Sequence, residues 1–203
     1  MPRALLYGAF LTAFAALPVT AHAQTPASIH WIASGFVGAD FGGLADGSSF
    51  DLGGQIGFLY HGLAGVEFVG DFSPGFHLTN TVLADRPTVN AFMFNAIAAV
   101  PFGRDWHLQP YVAGGLGSIQ LRSSVFTSSA VPGAQTYTSQ SKAGGDAGAG
   151  VTAFVGNFGI RADLRYYRAF SEGVSGLDFW RASIGVAARW QSPLFGLRLK
   201  KEL

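Results

Sequence analysis

The sequence predicts an all-β fold, an eight-stranded antiparallel up-and-down transmembrane β-barrel, and three observations support this prediction. Apolar and polar residues alternate with a period of two along most of the chain after residue 30, which is the pattern of a strand with two different faces. Charged residues make up only 12% of the chain, about half the share found in soluble domains, and the mean hydropathy is +0.29. After the N-terminal residues, no apolar run is long enough for a helical membrane span.

Eight segments of the chain are predicted to be strands. Four of them alternate clearly between two faces, and these are residues 50–60, 65–72, 158–170 and 178–191. The other four alternate less regularly, and these are residues 31–41, 89–100, 110–122 and 144–155. Glycine is frequent in 110–122 and 144–155, so the sequence does not tell which of their residues share a face.

The links between these segments indicate how the strands are connected. The odd-numbered links are mostly long and polar, and they include a Ser/Thr-rich segment at 123–143 that is predicted to be a loop. The even-numbered links are mainly tight turns, such as Gly-Asn at 156–157, although the fourth link at 101–109 fits less well. In an up-and-down meander the odd links share one end. The sequence therefore predicts long loops at one end and short turns at the other, as in barrels that cross a membrane.

The last predicted strand, DFWRASIGVAARWQ at 178–191, matches the thickness of a bilayer. Its apolar face lies between Trp180 and Trp190 and consists of Ala182, Ile184, Val186 and Ala188. Ten steps at about 3.3 Å span roughly 33 Å, and a tilt of about 40° reduces the vertical span to roughly 25 Å, the height of a barrel's apolar band. Tryptophan favours the boundary between lipid and water. The equal spacing of Trp31 and Phe41 therefore predicts a membrane-interface girdle of Trp31, Phe41, Trp180 and Trp190, with the first strand pairing with the last.

Residues 1–23 are predicted to be a cleaved signal peptide. A basic residue, Arg3, precedes an apolar run, and Ala-His-Ala at 21–23 offers the small side chains that signal peptidase requires. The run is shorter than the roughly 20 residues that span a bilayer, and Pro18 would interrupt a helix. The predicted organisation is a signal peptide at 1–23, a barrel at 24–190 and a C-terminal tail at 191–203.

Composition and motifs argue against several classes of function. The formal net charge is +1, which gives no electrostatic reason to expect a nucleic-acid partner. The chain has no cysteine and no recognisable metal motif, so neither a metal site nor a cofactor is expected. The histidines after the predicted signal lie at strand ends or in links, and they are His30, His61, His77 and His107. The least unfavourable catalytic trio joins His77 to Ser73 and Asp71, but no nucleophile motif is present, and the sequence predicts no enzyme.

Charged residues on the polar faces of three predicted strands are expected to point into the barrel. They are Glu67, Asp71, Arg161, Asp163, Arg165, Arg181 and Arg189. An eight-stranded barrel is just wide enough to be filled by side chains, so these residues are expected to form an internal polar network. Strand direction places Asp71, Arg165 and Arg181 toward the end with long loops. It places Glu67, Arg161 and Arg189 toward the opposite end.

The strand sequences resemble those of small bacterial outer-membrane β-barrel proteins of the OmpA-like, porin-type class. PYVAGGLG (110–117) and GIRADLRYYRAF (159–170) are similar to strands of that family, and SIGVAARW (183–190) is similar to its C-terminal insertion signal. The resemblance implies that Ser183, Gly185 and Trp190 form this signal. It also implies a monomer in the Gram-negative outer membrane, surrounded by lipid and lipopolysaccharide and inserted by the outer-membrane insertion machinery. Chains of the family often end at the aromatic residue, whereas this one continues with 191–203.

The sequence therefore predicts an integral outer-membrane barrel with a structural or surface-interaction role, a lumen plugged by polar side chains, and no catalysis. Two alternatives stay open. One is a barrel that conducts ions or passes a small molecule, like a porin or transporter. The other is a soluble periplasmic barrel that binds a ligand, which would require a largely polar outer face.

Overall fold

The computed structural model is a closed barrel of eight antiparallel strands, and it describes residues 28–43, 47–76, 87–103, 107–126, 135–170 and 177–193. The strands are β1 (Ser28–Phe41), β2 (Ser48–Tyr60), β3 (Ala64–Ser73), β4 (Thr88–Ala99), β5 (Leu108–Phe126), β6 (Gln135–Val155), β7 (Phe158–Ala169) and β8 (Asp178–Pro193). Each strand pairs with the next, and β1 pairs with β8. This architecture confirms the predicted fold class. No helix among the described residues is long and apolar enough to cross a membrane.

The links between strands alternate between the two ends of the barrel. The loop end carries the links β1–β2, β3–β4, β5–β6 and β7–β8, and the turn end carries the others. In the turn between β2 and β3, His61 and Gly62 have positive φ values of 52° and 71°, and the amide of Leu63 donates to the carbonyl of Tyr60 at 3.0 Å. Positive φ at both central residues defines a type I′ turn, whose twist matches that of the two strands it joins.

β5 and β6 extend further than the sequence predicts, and this corrects the prediction of a loop over 123–143. β5 continues to Phe126 and β6 begins at Gln135. Among the described residues, β5 beyond Arg122 and β6 before Ala143 pair only with each other. They form a hairpin that projects past the other strands at the loop end. The alternation of apolar and polar residues does not reveal this hairpin. Apolar residues at every second position are needed only where one face of a strand packs against an apolar layer.

The outward face of the barrel is apolar between two levels. Outward residues ten positions apart mark these levels on three neighbouring strands, and they are Trp31 and Phe41, Tyr60 and Phe50, and Trp190 and Trp180. Between the levels every described outward residue is uncharged, and large apolar side chains such as Phe94 (61% exposed) and Ile184 (57%) lie on the surface. The charged outward residues among those described, Arg122, Arg168 and Asp178, lie at the loop end. This is the distribution that a lipid environment requires.

The inward face uses glycine to make room for large polar side chains. A Cβ added at Gly148 would lie 2.6 Å from Cγ of Arg165, and one added at Gly150 would lie 2.2 Å from the hydroxyl oxygen of Tyr111. These distances are well below van der Waals contact. The side chains of the network therefore lie across the glycines of the neighbouring strand.

Two apolar clusters fill the parts of the lumen toward its ends. The cluster toward the loop end contains Val69, Phe76, Val89, Ala91, Met93, Ile119, Tyr167, Ala169 and Phe179. The cluster toward the turn end contains Ile32, Leu59, Ile97, Ala99, Tyr111, Ala113, Phe154 and Ala187. The buried acids of the lumen and the arginines paired with them are thus enclosed by apolar packing toward both ends.

Candidate functional site

Buried charged side chains from several strands meet in the lumen and form two clusters. The central cluster consists of Glu67 on β3, Asp146 on β6, and Arg161, Asp163 and Arg165 on β7. The mouth cluster lies nearer the loop end and consists of Asp40 on β1, Asp51 on β2, Asp71 and Ser73 on β3, and Arg181 on β8. Strand alternation brings these residues together, because residues two apart on a strand point to the same side.

Two arginines of β7 share the acids of the central cluster. Nη2 of Arg161 lies 3.0 Å from Oε2 of Glu67 and 3.3 Å from Oδ2 of Asp163. Arg165 lies 2.5 Å from Glu67 through Nη2 and 2.8 Å from Asp163 through Nε. Its Nη1 also lies 3.0 Å from Oδ2 of Asp146. These contacts cross-link β3, β6 and β7 through the lumen.

Arg181 lies among the three aspartates of the mouth cluster. Its Nε is 2.7 Å from Oδ1 of Asp40 and 3.1 Å from Oδ2 of Asp51. Its Nη1 contacts Oδ2 of Asp71, and its Nη2 donates to Oδ2 of Asp40 and to Oγ of Ser73, each at 3.2 Å. Every one of these residues is at most 4% exposed. The cluster is therefore shielded from solvent and joins β1, β2, β3 and β8.

Tyrosine rings support the arginines of both clusters. Cζ of Arg161 lies 4.1 Å from the ring centre of Tyr111, and Cζ of Arg181 lies 4.6 Å from that of Tyr167. The hydroxyl of Tyr111 accepts from Nε of Arg161 at 2.6 Å and donates to Asp163. A buried cation over an aromatic face is stabilised by the charge distribution of the ring. Each of these two guanidinium groups is thus held by both acids and an aromatic ring.

Carboxyl groups outnumber guanidinium groups in both clusters. The central cluster has three carboxyl groups and two guanidinium groups, and the mouth cluster has three and one. The chemistry available to this arrangement is mutual neutralisation and cross-linking of the wall. Removing one partner would leave an uncompensated charge in a buried site.

Six of the predicted lumen residues lie in the two clusters. Arg165 pairs with Arg181 across β7 and β8, at the level that strand direction predicts, but its guanidinium group forms ion pairs with the acids of the central cluster. The side chain extends from β7 toward Glu67, which is lower in the barrel. Length and flexibility of the arginine side chain explain why position along the strand does not fix the level of its charge.

Arg189 points inward at the turn end of the barrel. Its Nε donates to the carbonyl of Gly156 at 2.9 Å, and its Cζ lies 4.4 Å from the ring centre of Phe154. The acids lie closer to the loop end, and the apolar cluster toward the turn end separates them from Arg189. These contacts place Arg189 at the turn-end rim of the lumen, the end toward which strand direction assigns it.

Several residues of the network are absent from the sequence-based prediction. They are Asp40, Asp51, Ser73, Tyr111, Asp146 and Tyr167, together with Gln55, whose amide oxygen accepts from Nη1 of Arg161 at 2.9 Å in the amide orientation that the surrounding donors require. Asp40 and Asp51 lie on inward faces that alternation indicates, so counting inward acids on β1 and β2 would have found them. Asp146 and Tyr111 lie on the glycine-rich strands whose phase the sequence leaves open.

The aromatic residues of the predicted girdle lie at the two levels of the outer face. Trp31 and Trp190 are paired across the β1–β8 seam and stack with ring centres 6.3 Å apart and planes inclined by 6°. Trp180 pairs with Phe41 across the same seam, and its ring centre lies 5.2 Å from that of Tyr166. The girdle residues thus meet at the strand pair that closes the barrel.

The predicted insertion signal lies on β8, with Ser183 and Gly185 facing the lumen and Trp190 facing outward. β8 continues beyond Trp190 to Pro193, which pairs with Ser28. The first residues after Trp190 are therefore part of the barrel wall. The predicted signal peptide at 1–23 and the tail from 194 onward lie outside the described residues.

The described residues contain no group of three or more His, Cys, Asp or Glu side chains that could hold a metal ion. Of the catalytic trio considered from the sequence, His77 lies outside the described residues. The hydroxyl of Ser73 donates to Asp40 within the mouth cluster. That contact assigns Ser73 to the ion-pair network.

Residues 9–191 match a family described as the outer membrane protein β-barrel domain. Among solved structures, the N-terminal β-barrel domain of OprF from Pseudomonas aeruginosa is 20% identical, with a TM-score of 0.51, and covers 82% of this chain and 100% of its own. Neisserial surface protein A is 13% identical, with a TM-score of 0.55, and covers 83% and 100%.

A third solved structure is Ail, the attachment invasion locus protein of Yersinia pestis, in complex with the heparin analogue sucrose octasulfate. It is 18% identical, with a TM-score of 0.53, and covers 82% of this chain and 100% of its own. At these identities the likeness concerns the fold alone. No curated protein matches the sequence.

Proposed function

The chain belongs to the family of outer-membrane protein β-barrel domains, as its sequence resemblance predicted, and we propose that it is a closed structural barrel whose loop end presents a surface for interaction outside the cell. Family membership supports a location in the bacterial outer membrane. The observation that carries the proposal is the reversed distribution of polarity, with ion pairs inside and an uncharged outer band. This distribution also argues against the soluble periplasmic alternative, which needs a polar outer face.

The closed lumen is proposed from the two ion-pair clusters. Arg165 and Arg181 reach acids on other strands, and both guanidinium groups are nearly inaccessible to solvent. The apolar clusters toward each end add further layers of packed side chains. A hydrated pore would have to displace these contacts, so the porin-like or transporter-like alternative is not favoured.

Conductance of the purified protein in planar lipid bilayers tests the closed lumen. A closed barrel gives no steady current at neutral pH. The comparison is a variant in which Arg165 and Arg181 are both replaced by methionine, because this variant lacks the cations that pair with the buried acids. A steady open-channel current from the unaltered protein would contradict the plug and support the porin-like alternative.

The interaction surface is proposed to be the projecting hairpin of β5 and β6. Its backbone extends beyond the neighbouring strands to Phe126 and Gln135, so within the described part of the chain it stands furthest from the apolar band. Connecting segments carried on a rigid scaffold are common places for binding surfaces. The long links are proposed to face the outside, and the turn end to face the periplasm.

Labelling of single cysteines on intact cells tests this orientation, because the chain has no cysteine of its own. Ser139→Cys, at an exposed position of β6 within the hairpin, should react with a maleimide that cannot cross membranes. Asn157→Cys, in the exposed turn between β6 and β7, should react only after the cells are opened. The opposite pattern would overturn the orientation, and equal reaction before lysis would overturn the transmembrane placement.

The partners are proposed from the same surfaces. Outer-membrane lipid and lipopolysaccharide contact the uncharged band and its aromatic girdle, and the outer-membrane insertion machinery reads the segment ending at Trp190. We propose a monomer, because the barrel pairs its own edge strands across the β1–β8 seam and leaves no strand edge to share within the membrane. The mass of the protein in detergent measures this directly.

A further inference from the structure

Asp51 is the carboxyl group of the mouth cluster with the fewest hydrogen atoms available to it. It is fully buried, and its two oxygens face two donor atoms. Oδ1 lies 3.3 Å from the hydroxyl oxygen of Ser73, and Oδ2 lies 3.1 Å from Nε of Arg181. Each of these donor atoms carries a single hydrogen.

Both of those hydrogens are directed to Asp40. The hydroxyl of Ser73 donates to Oδ2 of Asp40 in a contact shorter than its approach to Asp51. Nε of Arg181 donates to Oδ1 of Asp40 at 2.7 Å. Among the described residues, Oδ2 of Asp51 accordingly has no hydrogen-bond partner. An ionised carboxylate that is buried without donors is strongly disfavoured.

The other two aspartates have their own donors. Asp40 accepts from Ser73 and from Nε and Nη2 of Arg181. Asp71 accepts from the amide of Ala91 at 3.0 Å and from the hydroxyl of Tyr167 at 3.2 Å, and it contacts Nη1 of Arg181. Hydrogen bonds to a carboxylate favour its ionised form, and Asp51 receives fewer of them than either neighbour.

We propose that the mouth cluster is a proton-binding site and that Asp51 carries the proton in the folded barrel at pH 7. The protonated Oδ1 of Asp51 donates a hydrogen bond to Oγ of Ser73 and keeps its proton. Oγ of Ser73 donates its own hydrogen to Asp40 and accepts hydrogen bonds from Asp51 and Arg181. No bond other than this O–H is formed. The cluster then contains two carboxylates, one guanidinium and one neutral carboxylic acid.

Three charged groups face Asp51, and they are Asp40 on β1, Asp71 on β3 and Arg181 on β8. Tyr167 on β7 contacts Asp71 and Arg181. Two like charges and one opposite charge surround the site in a buried environment, which favours its neutral form. The protonated state of Asp51 rests on the closed lumen, because water in an open pore would supply donors to its carboxyl group; the conductance measurement tells failure of the closed lumen apart from failure of the proton site.

Carbon-13 NMR of the barrel in detergent, with the side-chain carboxyl of aspartate labelled, tests the proposal. At pH 7 one aspartate signal should appear at the position of a neutral carboxylic acid. It should disappear in Asp51→Asn, whose amide can donate to Ser73 as the neutral acid does. It should remain in Asp163→Asn, which removes an ionised carboxyl group from the central cluster. Absence of a neutral signal in the unaltered protein, or its persistence in Asp51→Asn, would overturn the proposal.

The stability of two matched variants gives a second readout. Asp51→Asn keeps the charge of the site and should fold with little loss, whereas Asp40→Asn removes the ionised acceptor of Ser73 and Arg181 and should be far less stable. Between about pH 5 and pH 7 the folding equilibrium constant of the unaltered protein should also fall by up to about tenfold per pH unit relative to that of Asp51→Asn, because folding of the unaltered protein takes up one more proton. Equal damage by the two variants, including failure of both to fold, would contradict the assignment of the proton to Asp51.

Discussion

Arg165 shows how much of the interior depends on a single side chain. It contacts acids on β3 and β6 as well as on its own strand β7, and it lies in the space that Gly148 leaves open. Its neighbour Arg168, three residues further along β7, faces outward and is exposed at the loop end. Two arginines on one strand therefore have very different surroundings.

Replacing Arg165 by methionine should destabilise the barrel by about 3–5 kcal/mol, because Glu67, Asp146 and Asp163 would keep their charges without this partner. The measurement is the free energy of unfolding by urea in lipid vesicles. Arg168→Met is the matched control and should change it by less than about 0.5 kcal/mol. Equal losses in the two variants would contradict a structural role for the central cluster.

Gly148 tests the packing of the same arginine from the opposite side. A methyl group there would meet Arg165 at 2.6 Å, so Gly148→Ala should cost about 1–3 kcal/mol of unfolding free energy through overpacking. At Gly35, on the outward face of β1, the nearest heavy atom to an added Cβ is 4.0 Å away. Gly35→Ala should therefore be nearly neutral in the same urea titration, and a larger loss there than at Gly148 would refute the packing argument.

The residues of the site are predictable from the sequence only where a strand alternates clearly. On β7 and β8 the alternation assigns Arg161, Asp163, Arg165 and Arg181 to the lumen without ambiguity. On β5 and β6 both faces contain glycine and alanine, so the sequence does not indicate whether Tyr111 and Asp146 point into the barrel or out of it. Which acid meets which arginine depends on tilt and side-chain reach, and these are properties of the folded barrel.

At the scale of elements, the turn between β2 and β3 combines a required conformation with an unfavourable residue. His61 is the described non-glycine residue with positive φ, and this region is costly for most side chains. Asparagine followed by glycine is the preferred sequence for a type I′ turn. A single substitution at His61 is therefore expected to stabilise the turn.

His61→Asn should stabilise the barrel by about 0.5 kcal/mol, since asparagine adopts positive φ more readily. Loss of the ring contact between Tyr60 and His61 keeps the expected gain small. Gly62→Ala at φ 71° should have the opposite effect in the same unfolding measurement. A stabilising Gly62→Ala would show that the turn does not have the described conformation.

The hairpin of β5 and β6 marks the limit of alternation as a predictor of elements. Within the apolar band, lipid on one side and packed side chains on the other impose a period of two on every strand. Beyond Arg122 the strands lie outside the apolar band, where a period of two is not required. Residues 123–143 therefore have the composition of a polar loop. Strands inside the membrane were predictable for this physical reason, and the projecting part was not.

At the scale of the whole molecule, the predicted barrel depended on long-range consistency. The alternation of long and short links required that odd links share one end, and the spacing of Trp180 and Trp190 required a band of bilayer thickness. Closure of the barrel was predictable because an unpaired strand edge is not tolerated in lipid. The first and last strands, β1 and β8, pair as expected. Strand number, link order and closure are thus predictable without knowledge of individual side-chain contacts.

The central claim is that β8 separates lipid from a packed lumen, and spin-label accessibility along this strand tests it most directly. Single cysteines from 180 to 190 are introduced into the cysteine-free chain, labelled with a nitroxide, and studied in lipid vesicles with oxygen and with a water-soluble nickel complex. Labels at the even positions 182–188 should collide with oxygen and be shielded from nickel, and labels at odd positions that fold should be shielded from both. Even-numbered labels that are accessible to nickel would contradict the membrane barrel and support a water-exposed outer face.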